Sequence, residues 1–297
     1  MLIVGSVATD TVKTPFGKRE DVLGGSATFS SISASFFTRP HIVAVVGQDF
    51  PKKYLSLFKT RGIGTEGIEI AKGKTFHWEG YYDYDLNIAH TVHTHLNVFK
   101  DFNPKIPQRL RHSRFVFLAN IDPDLQYNVL KQMHRPKLVA CDSMNYWIEN
   151  KRRALERILD KIDILLLNDS EARLFSGESN LLKAARLIVT YGPKSVIIKK
   201  GEHGVIYFSK NSHFVAPAYL LESLYDPTGA GDTFAGGMMG FLSKASRIND
   251  ATMRKAIIHG SILASFVVED FSVNRLLEIS LSDVRERYRQ FKRITKF

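Results

Sequence analysis

The stretch Asp226-Pro227-Thr228-Gly229-Ala230-Gly231-Asp232-Thr233-Phe234-Ala235-Gly236-Gly237 decides how the rest of the chain is read. Small residues and two glycines lead from a polar bend into an apolar run, the pattern of a loop that opens a helix. The first N–H groups of a helix have no partner inside it, so such a loop can present bare amides to an anion. Asp232 sets a carboxylate beside those amides, and an anion cradle paired with a base suits phosphate chemistry. Two plainer readings stay open at this point: Gly-x-Gly as a tight turn that needs positive φ, and Asp232 as a helix cap.

Around this loop, short β-branched runs alternate with longer helical stretches. Strands are expected at Leu2 to Val7, Ile42 to Val46, Phe115 to Leu118, Leu138 to Cys141, Ile164 to Leu167, Ser195 to Lys199 and Val205 to Phe208. Helices are expected at Thr28 to Phe37, Lys52 to Thr60, Asp124 to Met133, Arg152 to Leu159, Glu171 to Phe175, Leu181 to Thr190, after Gly231, at Asn249 to Val268 and at Asp283 to Lys292. The alternation predicts a mostly parallel sheet with helices on both faces. Thr11 to Val22 and Lys74 to Asn97 interrupt it. In the second of these, Phe76, Trp78, Tyr82 and Tyr84 fall on one face at a period of two, so strands outside the main sheet are expected there. An apolar face needs a cover, which a substrate beneath a lid or a second copy would supply; an exposed hairpin with an aromatic ladder is the alternative.

Composition bounds the rest. With 297 residues, 44% of them hydrophobic, the chain is long enough to bury a large core. No apolar run approaches the roughly 18 residues of a bilayer span, and Met1-Leu2-Ile3-Val4-Gly5 lacks a basic leader, so a cytoplasmic protein without a membrane partner is expected. The net charge of +11 comes largely from Lys151-Arg152-Arg153, Arg109 to Arg114 and Arg285 to Arg293. Helical spacing turns these into solvated faces, with some attraction for anionic ligands. No nucleic-acid reading module accompanies them, so no nucleic-acid partner is expected. The lone Cys141 reads as a buried strand residue.

Taken together, Asp226, Thr228, Gly229, Ala230, Gly231, Asp232 and the pair Gly236-Gly237 resemble the C-terminal signature of the ribokinase-like (PfkB) carbohydrate kinase family. The resemblance implies a ribokinase-like three-layer α/β/α fold with a central mostly parallel sheet and a small β-sheet lid. Residues 1–10, 23–73 and 98–297 would form the catalytic domain and residues 11–22 and 74–97 the lid, which in many members pairs two subunits, so a homodimer is expected. It implies transfer of the γ-phosphate of ATP, with Mg²⁺, to a hydroxymethyl group of a sugar or sugar-like molecule. Asp232 would be the general base, and the amides of Gly229, Ala230 and Gly231 would stabilise the transferring group. Many members hold a monovalent cation, which makes Asp226 and Thr228 candidate holders of K⁺.

Other motifs follow in the family's order. Asn168 and Glu171 end a strand as an Asn-x-x-Glu motif; a helix capping box explains them equally, while the resemblance assigns them to Mg²⁺ through water. Lys199-Lys200-Gly201-Glu202-His203-Gly204 is a plain hairpin turn by its glycines, and by resemblance a nucleotide site in which Lys199 or Lys200, Gly201 and Gly204 take part. His259 matches a position that stacks adenine in related kinases, or is a core histidine. Asp10, Gly24 and Gly25 are candidate substrate residues, with a cap and a simple turn as alternatives. Ribokinases proper carry an asparagine where Phe29 stands here, and an aromatic at that place would favour a nucleoside over ribose. Asp142 and Asn145 follow a strand and are further substrate candidates. His90, His93 and His95 are expected as surface or dimer residues rather than metal ligands. The rival readings are a nucleoside kinase of adenosine or cytidine type, and a non-catalytic nucleotide-binding sensor.

Overall fold

Runs such as Leu2–Val4 and Ile164–Leu167 are apolar at every position, as strands buried on both faces must be. In the computed structural model, which describes residues 1–296, these runs become the middle of one large sheet. The strands in chain order are β1 (Leu2–Val4), β2 (Ala8–Thr14), β3 (Gly17–Gly24), β4 (His41–Gly47), β5 (Gly64–Ala71), β6 (Phe76–Tyr82), β7 (Ala89–His95), β8 (Phe115–Leu118), β9 (Leu138–Asp142), β10 (Ile164–Asn168), β11 (Ser195–Lys199), β12 (Val205–Ser209) and β13 (Ser212–Ala216). The large sheet runs β13-β12-β11-β10-β9-β8-β1-β4-β5, parallel from β5 to β11 and antiparallel only across β12 and β13.

Alternate residues of each strand feed two separate cores. Ile3, Phe117, Ala140, Leu166 and Ile197 pack against the helices Ser26–Ser35, Ala230–Lys244, Asp250–Val267 and Leu281–Ile294. Val4, Leu118, Cys141, Leu165 and Ile198 pack against Pro123–Gln132, Arg152–Leu159, Asp169–Ser176 and Leu181–Thr190 on the opposite face. The result is a three-layer α/β/α fold. Cations that dominate the sequence's charge help fasten these helices: Lys151 bridges Asp122 and Asp124, and Arg287 stacks on Phe266 while pairing with Glu269.

A second, four-stranded sheet has the order β3-β2-β6-β7. It takes in more chain than the aromatic pattern suggests, because β1 stops at Val4 and the chain turns directly into β2 at Ala8. Asp10 therefore lies inside a strand of the small sheet and does not end the first strand of the large one. The edge strands β5 and β13 have no clear period in the sequence, since one face of each is wet and β5 begins with two glycines in four residues. An unexpected helix, Asn145–Asn150, follows β9.

Parallel pairing places Asp142, Asn168 and Lys199 at the same, C-terminal edge of the sheet, where open α/β sheets receive ligands.

Candidate functional site

The helix Ala230–Lys244 begins at this edge. Its cap Gly229 sits in the left-handed region at φ +74°, and a Cβ there would lie 2.4 Å from the ring of Phe29, so only glycine fits. Ala230 N–H donates to Pro227 O at 3.1 Å and Thr233 N–H to Gly229 O at 2.8 Å. The amides of Gly231 and Asp232 remain in the first turn with no partner inside the helix. The cradle is thus made by two amides, one of them Asp232's own, with Ala230's already engaged.

Lys199, the last residue of β11, reaches over this turn. Its Nζ lies 2.9 and 3.2 Å from the carboxylate oxygens of Asp142 and 3.1 Å from where a Cβ on Gly231 would stand. Burial works against its charge, but Asp142 and Glu171 outweigh that and hold the ammonium ionised. Asp232 is partly buried at the helix mouth. Burial, then the charge of Asp142, push its carboxyl up to about 7, with Lys199 opposing.

Asn168 and Glu171 form a complete capping box. Asn168 Oδ1 accepts from Glu171 N at 2.7 Å, and Glu171 Oε2 accepts from Asn168 N at 2.7 Å. Burial raises Glu171 to about 7. Two of the three side-chain oxygens of this pair are therefore engaged with backbone, and any ion would be met through water. The turn Gly201–His203 closes the β11–β12 connection through Lys200 N–H to Gly204 O, with Gly201 and Gly204 at positive φ.

From the small sheet, Asp10 faces the same space. Its carboxylate touches Gly24, where a Cβ would lie 1.9 Å from Oδ2, and a Gly25 backbone contact favours its ionised form. Burial and the nearby Asp226 still raise it to about 8. Asp226 is buried, accepting from Thr228 N at 2.9 Å and Ser272 N at 3.1 Å. Burial also raises its carboxyl above the ordinary range. Tyr82, from β6, accepts a hydrogen bond from Thr228 Oγ1 at 3.3 Å, and the carboxylates of Asp226, Asp10 and Asp232 add to the burial that holds its phenol neutral. Tyr82, which no motif singles out, thus completes the site, together with Asp142, the strand-end candidate that pairs with Lys199. The period-two pattern of β6 marks Tyr82's face but not its reach.

Three sequence expectations are corrected. Phe29 is 2% exposed and forms the floor beneath Gly229, so its ring is closed off from any ligand. His259 points into the helical layer, stacked between Phe241 (4.4 Å) and Tyr288 (4.8 Å). Burial lowers it to about 4, the behaviour of a neutral core ring. Asn145 is exposed and spends its Oδ1 on Tyr146 N; Asp142 is the residue of that segment that enters the site. His77, His93 and His95 pack together on the small sheet, and among the described residues no group of His, Cys, Asp and Glu is arranged to hold a metal directly. A groove of about 530 Å³ lined by Ile164, Ser195 and Asn249 lies at the opposite ends of the strands and contains none of the site residues.

The profile of the pfkB family of carbohydrate kinases matches residues 7–279. The cytidine kinase of Thermococcus kodakarensis is 28% identical over 254 residues, 84% of this chain and 91% of that one. The crystal structure of Methanocaldococcus jannaschii nucleoside kinase superposes with a TM-score of 0.77 at 20% identity, covering 97% of this chain and 98% of that one. An E. coli protein provisionally called ribokinase II, solved with ATP and Mg²⁺, gives 0.80 at 17% identity over 97% and 98%.

Proposed function

Because the chain belongs to the pfkB family of carbohydrate kinases, a family of phosphotransferases acting on hydroxyl groups, we propose that it moves the γ-phosphate of ATP to the hydroxymethyl group of a nucleoside. The observation that carries the reaction is Asp232, a carboxyl of pKa about 7 beside two free amides and the Lys199 ammonium at a helix mouth. Asp232 accepts the proton of the attacking hydroxyl, a contribution of about 10²–10⁴-fold for a positioned base. The amides of Gly231 and Asp232, with Lys199, hold the transferring group and offset its charge. The residues fit a nucleotide bound as its Mg²⁺ complex: Asp142, Glu171 and Asp232 gather around the one ammonium of Lys199, acidic surroundings that disfavour bare ATP. ATP supplies the phosphoryl group and Mg²⁺ its charge compensation, with Asn168 and Glu171 the residues that would hold the ion's waters and the Lys200–Gly204 turn the nucleotide's edge.

Asp10 binds acceptor hydroxyls, and as a neutral carboxyl at pH 7 it both donates and accepts. The nucleoside is favoured by Trp78, which pairs in register with Asp10 and offers an aromatic surface for a base. A free sugar is the second reading, favoured by the tight fit of Asp10 against Gly24. K⁺ beside Asp226 and Thr228, a homodimer through Tyr84, Ile88 and Val92 on the lid, and action in the cytoplasm complete the proposal. The test is ADP release by the purified protein with MgATP across nucleosides, pentoses, hexoses and inositols. A nucleoside is expected to give the highest kcat/KM; a free sugar doing so would select the second reading, and silence with every acceptor would reject the kinase.

A further inference from the structure

Tyr82 ends β6, an inner strand of the small sheet, and its phenol oxygen accepts from the Thr228 hydroxyl. The contact does not stand alone. Thr228 N–H is held by one oxygen of Asp226, and the other oxygen takes Ser272 N–H. The Ser272 hydroxyl in turn donates to Leu23 O, the residue in β3 just before the Gly24-Gly25 exit from the small sheet. Ser272 holds φ +58°, a left-handed conformation disfavoured for a residue with a Cβ, and that conformation aims its N–H at Asp226. A continuous chain of buried or half-buried hydrogen bonds therefore leaves the small sheet through Tyr82, holds Thr228 and Asp226 at the start of the loop that leads into Gly229 and Gly231, and re-enters the sheet at Leu23. The tip beyond β6 makes a second approach, with Asn87 Oδ1 3.2 Å from where a Cβ on Gly201 would lie.

A loop of glycines has no side chains to fix it, so its shape depends on what grips its few polar groups. Thr228 is gripped on its amide by Asp226, which Ser272 anchors to the body of the protein, and on its hydroxyl by the small sheet. We propose that Tyr82 is a positioning residue that couples the lid to the phosphate cradle, so that the Gly231 and Asp232 amides are held in place only while the lid is down. Lid closure then assembles the transfer geometry as well as excluding water. The kinetic part of this proposal rests on the kinase reading; the structural part does not.

The test uses Tyr82→Phe, which removes one oxygen and keeps the ring. Hydrogen exchange of the ligand-free protein is expected to rise at least threefold for amides in both Phe76–Tyr82 and Thr228–Asp232, with Arg152–Leu159 unchanged. A rise confined to the lid, or none, overturns the coupling, and this readout stands even if no acceptor is ever phosphorylated. In turnover, kcat is expected to fall about tenfold with the acceptor KM within twofold, and adding Thr228→Val to the Tyr82→Phe protein is expected to lower kcat by less than a further twofold. A raised acceptor KM at unchanged kcat would make Tyr82 a wall of the acceptor pocket and overturn the proposal. Losses that multiply in the double variant would do the same.

Discussion

Lys199 and Asp142 form a buried ion pair at 2.9 Å across the end of β10, from the two strands that flank it. Their side chains are 18% and 5% exposed, so the pair exchanges little with water. Breaking such a pair leaves one desolvated charge, whereas replacing both members need not destabilise. Asp142→Asn and Lys199→Met are each expected to lower unfolding free energy by about 3 kcal/mol. The double change Lys199→Met with Asp142→Leu is expected to recover at least half of that, measured by urea denaturation. A loss in the double variant equal to the sum of the two single losses would show that the pair is not coupled.

Asp232 must be ionised to take a proton. With its carboxyl at about 7, kcat/KM is expected to climb through that pH and level off above it. Asp142 raises Asp232, so Asp142→Asn is expected to move the midpoint down; Lys199 lowers it, so Lys199→Met moves the midpoint up. Asp232→Asn is expected to bind ATP as before and lose about 10²–10⁴-fold in kcat. Turnover comparable to the parent would reject the base.

Glu171 serves a cap and, by proposal, an ion, and the two roles separate by substitution. Glu171→Gln keeps an oxygen for Asn168 N–H, so the thermal midpoint is expected to stay unchanged while half-maximal activity needs about tenfold more Mg²⁺. A lowered melting temperature with unchanged Mg²⁺ demand would reduce Glu171 to a structural role.

His259 makes folding sensitive to acid. Its ordinary pKa is near 6.5 and its folded value about 4, so between those values the unfolded chain takes up a proton that the folded one refuses. Stability from this group is full above pH 6.5 and lost as pH falls toward 4, by at most about 3 kcal/mol. Asp10, Glu171 and Asp232 act in the opposite sense, because their raised values favour the folded state as pH falls. His259→Phe keeps the stack, so its melting temperature is expected to gain on the parent as pH drops from 7 to 4.5. Parallel curves would exclude the effect.

The strands with apolar residues at every position and the glycine loop were legible because each is a local pattern: Ile164–Leu167 and the run from Thr228 to Asp232 announce themselves within a few residues. Direction was not local. The family resemblance puts Phe29 and His259 at the site, yet the helices that carry them turn both rings into the core. Asp142 and Lys199 are 57 residues apart and meet only because β9 and β11 flank the same strand. Tyr82 depends on a bulge between Glu79 and Gly80 and on the pairing of β6 with β2, neither written in its neighbours.

The pairing of β2 with β6 is parallel, Ala8 through Lys13 beside Phe76 through Tyr81, although the two strands are separated in sequence by β3, β4, β5 and two helices. A hairpin can zip up alone, but a parallel contact waits for the crossover between its strands. The small sheet is therefore expected to assemble late, after the β1–β4–β5 region has condensed, and to lack stability as an excised cassette. Newly made chains would pass through a stage with a finished body and loose aromatic strands, and it is in that interval that aggregation would compete with maturation.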